Sequence, residues 1–279
     1  MRKLTAIILT YNESLDVAAC IESCRFCDRI VVFDSNSSDD TRDQAAAAGA
    51  EVHVRAFTNY ADQRNAALEA AKDDVWVLMI DADERVPSDL AAEVRAIADR
   101  EDDETAVYRI RRKDFFFGRW MRRATAYPTW FARLLRPTKV RFVRDINEDI
   151  ETSGRVGFLQ SHFHHYPFSK GLSAWVDRHN RYSTLEARRL VAERSEHLSF
   201  RFADLIEPAK RRRLAKRLFY RLPCRPLLAF VGLYFVRGGL WDGWPGLQYC
   251  RLRAVYEYLI YLKIRESQDT VSSSAPKSR

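Results

Sequence analysis

The stretch "VWVLMIDADERV", Val75 to Val86, decides how the rest of the chain is read. Val75 to Ile80 is a run of apolar residues of the kind buried on both faces inside a parallel sheet. It stops on three carboxylates, Asp81, Asp83 and Glu84. Open α/β sheets bind ligands in the crevice beyond the carboxyl ends of their strands, so these acids emerge where a ligand would lie. Alternate residues leaving a strand point the same way, which aims Asp81 and Asp83 at one spot. Two carboxylates converging there repel each other unless a cation lies between them, and hard oxygen donors suit Mg²⁺ or Mn²⁺. Such an ion typically clamps a diphosphate. The competing account makes them solvated acids beside the helix that begins near Ser88, and the neighbouring strand ends decide between the two.

Those neighbours repeat the pattern. "TAIILTYNE" is a strand ending in a polar cluster at Thr10 to Glu13, and "RIVVFDSNSSDDT" is a strand from Ile30 to Phe33 that ends on Asp34 and a Ser/Asp-rich loop. "AEVHVRAF" is a short alternating strand. Between them the spacing predicts helices over Val17 to Phe26, Thr41 to Ala48 with Gly49 as its C-cap, and Gln63 to Ala71. Strands alternating with helices specify an α/β fold whose sheet is mainly parallel, with right-handed crossovers. Neither G-x-G-x-x-G nor G-x-x-x-x-G-K-[ST] occurs, so a nucleotide here is not held by a dinucleotide fingerprint or a P-loop.

Beyond a helix "SDLAAEVRAIADREDDE", with Ser88 as its N-cap, the composition turns aromatic and basic, which sets a boundary near residue 105. Residues 106–200 read as strands and long loops followed by a helix from Lys170 to Arg194. Residues 201–265 hold "KRRRLAKRLFYR" and two apolar stretches, Leu227 to Val236 and Val255 to Leu262, on either side of "RGGLWDGWPG". Residues 266–279 have the composition of a disordered tail.

With 279 residues, 47% of them hydrophobic and 30% charged, the chain has the make-up of one large or two small globular domains. Its opening, "MRKLTAIILTYNES", offers only Ile7 to Leu9 as a solid apolar run, too short for a signal-peptide core. The five cysteines are odd in number, and Cys20, Cys24 and Cys27 crowd into eight residues, unlike a disulfide framework. A reducing, cytoplasmic setting is the expectation. The net charge of +8 is uneven: from Arg201 to Arg265 fourteen Lys/Arg face four Asp/Glu, an excess of ten, which leaves the remainder near minus two.

Taken in order, "AIILTYNE", "IVVFDSNSSDDT", "QRNAALEAAKDDVWVLMIDADE", "FFFGRWM", "YPTWFARLLRP", "INEDI", "HHYPF" and "DGWPG" resemble the family-2 glycosyltransferases, in particular the branch of bacterial lipopolysaccharide-core and exopolysaccharide enzymes. The resemblance implies a GT-A fold, a nucleotide-diphosphate sugar donor, a divalent metal, Mg²⁺ or Mn²⁺, and inversion at the anomeric carbon. By position, Thr10, Tyr11 and Glu13 resemble the loop that cradles the nucleoside, Asp34 the acceptor of hydrogen bonds from the base, and Arg64 the basic residue that reaches the nucleotide. Asp81 is similar to the acid on the ribose and metal side, Asp83 to the metal ligand, and Arg133 to an arginine that can hold a phosphate. In that branch an acid from a "[V/I]-H-E" segment acts as the base. "INED" puts Glu148 there but has Asn147 for the usual His, which leaves Asp145 and Asp149 open as alternatives. The family's late "H-Y" pair aligns with His165 and Tyr166, making His165 a candidate metal ligand. Strand alternation puts His162 and His164 on the opposite face.

Two rival readings follow from other features. The C-x₃-C-x₂-C spacing of Cys20, Cys24 and Cys27 matches radical-SAM iron-sulfur enzymes, although i, i+4 and i+7 also define one packed face of a helix. Lys210 to Arg213, Lys216 and Arg217 have the charge of a nucleic-acid arm. The short apolar runs, tyrosines and tryptophans that follow fit the interface of an anionic membrane better, and they are too short to span one. The expectation is a peripheral protein on the inner face of the plasma membrane, acting on a glycolipid or lipid-linked saccharide acceptor, with no nucleic-acid partner.

Overall fold

The computed structural model describes residues 3–100, 104–125, 127–143, 150–195, 222 and 224–274. The chain divides into two compact units, the first made of residues 1–120 and 126–169, the second of 121–125 and 170–279.

The first unit is built on one mixed sheet. β1 (Leu4–Thr10), β2 (Arg29–Asp34), β3 (Glu51–Val54) and β4 (Trp76–Asp81) form its parallel half, in the order β3-β2-β1-β4. β1 is buried along its whole length and β4 up to Asp81, as the unbroken apolar runs require. Register sets the site: Thr10 lies opposite Asp34 and Leu9 opposite Asp81, so the three strands end within one residue of each other. The order continues through β8 (Thr129–Leu135), β6 (Thr105–Phe116), β11 (Arg155–His165) and β5 (Glu84–Arg85), with β7 (Arg119–Trp120) paired to β6. β8 runs antiparallel to β4 and β6, whereas β11 runs parallel to β6 and antiparallel to β5. A two-stranded ribbon, β9 (Val140–Phe142) with β10 (Ile150–Thr152), completes the unit. The sheet thus runs straight across residue 105, where the composition changes.

Helices α1 (Val17–Ser23), α2 (Thr41–Ala47), α3 (Tyr60–Glu69) and α4 (Ser88–Ala98) join these strands. β4 feeds two cores by alternation: Leu78 and Ile80 pack with Cys20, Ile21, Leu90 and Phe163, while Val77 and Met79 pack with Ala67, Leu68, Val107 and Ala132. Gly49, at φ 81, closes α2 in the left-handed region that a side chain would strain. Two helix starts differ from the expected ones. Asn59 accepts the Asp62 N–H at 2.8 Å and starts α3 three residues before Gln63. Ser88 is the first helical residue of α4 rather than its cap, because Pro87 holds the extended backbone from which the helix departs.

The second unit contains α5 (Gly171–Ser195), α6 (Arg225–Val231) continuing into a π-helical turn over Gly232–Val236, a 3-10 turn over Gly239–Asp242, and α7 (Gly243–Ser274). Ala187 and Leu190 of α5 pack on Ile260 and Ile264 of α7. Arg225 pairs with Glu257 at 2.9 Å in a buried bridge. The Asp242 carboxylate accepts the backbone N–H groups of Arg122, Arg123 and Ala124 at 3.2, 3.0 and 2.8 Å. The disordered tail expected from residue 266 is instead helical to Ser274, since a helix already nucleated gains a hydrogen bond with each residue it adds. Among the described residues no helix is long and apolar enough to cross a membrane.

Candidate active site

At the level ends of β1 and β2, Asp34 is fully buried. One carboxylate oxygen accepts the Ser37 N–H at 2.8 Å, and the other accepts the hydroxyls of Thr10 at 2.8 Å and Ser37 at 2.5 Å. Asp34 therefore ties two strand ends together, and its acceptor capacity is turned inward. Asn12 and Asn36 take left-handed conformations at φ 54 and 60, which asparagine tolerates, and Asn12 ties the two loops together through Ser37 Oγ and the Ser38 N–H at 2.8 Å each. The Glu13 N–H donates to Thr41 Oγ1 at 2.7 Å, and its carbonyl accepts from Asp16 and Val17 to launch α1. Tyr11 stands 56% exposed at the mouth of the edge.

At the end of β4 a chain of alternating charges forms. Arg64, from α3, donates to Asp81 at 3.0 Å, and Arg133, from β8, donates at 2.8 Å to both Asp81 and Glu84. Both guanidiniums are buried, and Arg133 lies between the rings of Phe131 and Phe163 at 5.5 and 5.4 Å. Burial alone would raise the Asp81 carboxyl, but Arg64 and then Arg133 outweigh it and hold it well below the usual carboxylate range. Glu84 receives the Asp81 N–H at 3.0 Å. Its complete burial, opposed by Arg133 and reinforced by Asp81, pushes it up to about 7.

Asp83, two residues on, faces His165: its Oδ2 lies 3.3 Å from Nε2, and Nδ1 lies 2.6 Å from Asp114 Oδ1. Burial opposes protonation of this imidazole, yet Asp83 and Asp114 push it up to about 9. His165 reaches this place through an irregularity in β11. Three residues, 159 to 161, stand where β6 has one, between the pairs Phe158–Arg109 and His162–Arg111. The freed N–H groups of Gln160 and Ser161 donate to the two oxygens of Glu93, on α4, at 2.8 Å each. The Tyr166 N–H then donates to the Asp83 carbonyl at 2.9 Å.

The structure thus brings together Thr10 with Asp34, Arg64 and Arg133 with Asp81, and Asp83 with His165. Glu148, with its alternatives Asp145 and Asp149, lies outside the described residues. Sequence reasoning gave no site role to Glu84 or Asp114. Glu84 was visible as an acid directly after an apolar strand, whereas Asp114 meets His165 only through the β6–β11 register, which no local pattern reveals.

Among the described residues no three of His, Cys, Asp and Glu converge as a metal set. Asp83 and His165 supply two donors, an oxygen and an imidazole nitrogen, while Asp81 is taken up by arginines. A divalent ion commonly sits on one or two protein carboxylates and finishes its shell with substrate phosphates, so the pair fits a metal completed by a diphosphate. The cysteines do not have the setting of an iron-sulfur site: Cys20 and Cys24 are buried in the core with Ile21 and Leu90, burial raises the thiols of Cys20 and Cys27, and the spacing is that of a packed helix face.

Several known proteins are similar to this chain. A family model described as glycosyl transferase family 2 matches residues 5–166. The lipopolysaccharide core biosynthesis glycosyltransferase LpsC of Rhizobium meliloti (strain 1021) is 31% identical over 279 residues, covering 94% of this chain and 91% of that protein. An uncharacterized glycosyltransferase of Rickettsia prowazekii (strain Madrid E) is 29% identical over 73% of each chain. Among solved structures, glucosyl-3-phosphoglycerate synthase from Mycobacterium tuberculosis in complex with Mn²⁺, uridine diphosphate and glucosyl-3-phosphoglycerate aligns at a TM-score of 0.34 and 24% identity, over 45% of this chain and 47% of that one.

Proposed function

The chain belongs to glycosyl transferase family 2, with the GT-A fold, and from that premise we propose that it is an inverting, metal-dependent transferase that moves a sugar from a nucleotide-diphosphate donor to a lipopolysaccharide-core or lipid-linked saccharide acceptor. The observation that carries this reading is the facing pair Asp83 and His165 at the edge where the strands of Thr10, Asp34 and Asp81 end. A divalent ion held there would neutralise charge growing on the leaving diphosphate. Arg64 and Arg133 keep Asp81 ionised and oriented, as an acceptor for donor hydroxyls. Glu148 is proposed to take the proton from the acceptor hydroxyl. The name of LpsC supports a lipopolysaccharide-type acceptor.

We place the protein in the cytoplasm, peripheral on the inner face of the plasma membrane. Support comes from the basic excess of residues 201–265 and from Phe235, Val236, Trp241 and Trp244 of the second unit, which are 58, 82, 69 and 60% exposed.

Slow hydrolysis of a panel of nucleotide sugars, followed with Mn²⁺ or Mg²⁺ and with EDTA, tests the donor and metal assignments together. Asp83→Ala and chelation should each abolish turnover of the donor that the parent hydrolyses. Full activity of either would overturn the metal assignment.

A further inference from the structure

The sheet face that carries Asp81 continues beyond it and changes character. On β4 that face holds Val77, Met79 and Asp81, and the same packed layer includes Val107 of β6 and Ala132 of β8. Register carries the face onward. Arg109 lies opposite Ala132 and Arg111 opposite Trp130, while on the other flank of β6, His162 lies opposite Arg111 and His164 opposite Lys113. Past Ala132 the face is therefore no longer apolar. Arg111 stacks over the Trp130 ring at 5.5 Å, Lys113 over the Trp120 ring at 4.4 Å, and the His162 and His164 rings stack at 5.7 Å. All six side chains are half-buried, and Phe158, edge-on to Trp130 at 5.1 Å, is 54% exposed.

Packing or solubility alone does not account for this strip. A packed face would be apolar, and a solvated one would mix charges of both signs. Here two cations stand two residues apart on one strand, and among the described residues Asp89 of α4 is the carboxylate that acts most strongly on Lys113 and both imidazoles. Burial and then Lys113 push His162 down to about 4, so its ring is neutral and can donate and accept. Flat aromatic faces beside fixed cations, on the same sheet face as Asp81, match a saccharide bearing anionic groups: rings cover the sugar's C–H surface while guanidinium and ammonium hold carboxylate or phosphate.

We propose that the strip of Trp130, Arg111, Trp120 and Lys113, with His162 and His164, is the acceptor platform, and that what it holds is an acidic saccharide. The assignment rests on the transferase reading and deepens it by naming the acceptor's chemistry.

Calorimetric titration of the full chain with a deacylated, lipid-free core oligosaccharide from a Gram-negative lipopolysaccharide tests it. Maltohexaose serves as the uncharged control, and UDP, GDP and ADP with Mn²⁺ are titrated in parallel. The parent should bind the charged oligosaccharide at least about tenfold more tightly than maltohexaose, and Arg111→Gln, Lys113→Gln and Trp130→Ala should each weaken it by about tenfold, the loss expected for one charge-assisted contact or stacked ring. Lys139→Gln, on the ribbon side, should not. Nucleotide binding should persist in all four variants. Phosphatase treatment or carboxyl reduction of the oligosaccharide tells which anion is read, and a loss from either supports the platform. Equal binding of maltohexaose, or variants that bind like the parent, would overturn it. Nucleotide binding without oligosaccharide binding by the parent overturns the platform alone, whereas binding of neither overturns the transferase reading with it.

Discussion

His165 shows how much a single side chain can carry when its partners come from two directions. Its imidazole lies between Asp83 and Asp114, and its folded pKa is raised from 6.5 to about 9. A raised value means that the charged form is favoured by the fold, so this contribution is fully present below pH 6.5 and is lost as pH rises through 9. In chelator-treated protein it amounts to about 2–4 kcal/mol, and thermal unfolding between pH 6 and 9.5 should show the parent losing stability where His165→Gln stays flatter. Parallel profiles for the two would contradict the assignment. Arg133 is the other decisive residue, since it bridges Asp81 and the buried Glu84. Arg133→Met leaves Glu84 uncompensated and should cost about 3–5 kcal/mol of stability, measurable by denaturant unfolding. If Glu148 is the base as proposed, Glu148→Gln should lower transfer roughly a hundredfold with little change in nucleotide affinity. If Asp149→Asn is the damaging change instead, the "INED" alignment is off by one.

Among the elements, β11 depends most on a contact from outside the sheet. Its two additional residues put His165, rather than Phe163, opposite Asp114, and the N–H groups they release from the ladder go to Glu93. Both partners of Glu93 are donors, so a glutamine would turn its own N–H₂ toward one of them. Glu93→Gln should therefore cost about 1–3 kcal/mol and be no milder than Glu93→Ala. The His165 ring signal in a proton–carbon spectrum should move while that of His53 does not. An unmoved His165 signal would mean that the pairing with β5 and the Tyr166–Asp83 bond hold the register without Glu93. β4, by contrast, is fixed by its neighbours through apolar contact on both faces, and its register needs no such clamp.

For the whole molecule, the distribution of charge is the leading feature. An excess of ten positive charges falls within residues 201–265, the same stretch that exposes Trp241 and Trp244. On an anionic surface each Lys or Arg near the lipid contributes about 1 kcal/mol, and the attraction weakens as salt shortens the screening length. Changing Arg211, Arg212, Arg213, Lys216 and Arg217 to Gln should release much of the protein from anionic vesicles without unfolding it, and the two tryptophans should leave some salt-resistant binding. Flotation decides the matter: a parent protein that stays in the soluble fraction with anionic vesicles at low salt is not peripheral.

What the sequence determined by itself is what local chemistry specifies. Unbroken apolar runs fix β1, β2 and β4 as interior strands, and polar residues at their ends fix which edge is open, because burial and strand period are read within a few residues. The ordered motifs likewise fixed the family. Tertiary structure alone decided how the acids are used. Asp34 looked like a residue facing ligand and is turned inward onto Thr10 and Ser37, and Asp81 is shared by two arginines from elements 17 and 52 residues away. Asp114 enters the site through a register that a bulge displaced, and Arg111 meets Trp130 because antiparallel pairing put them side by side. Pairings of this kind depend on long-range closure of the chain, whose outcome is set by the packing of the whole sheet and leaves no mark in any short window of residues.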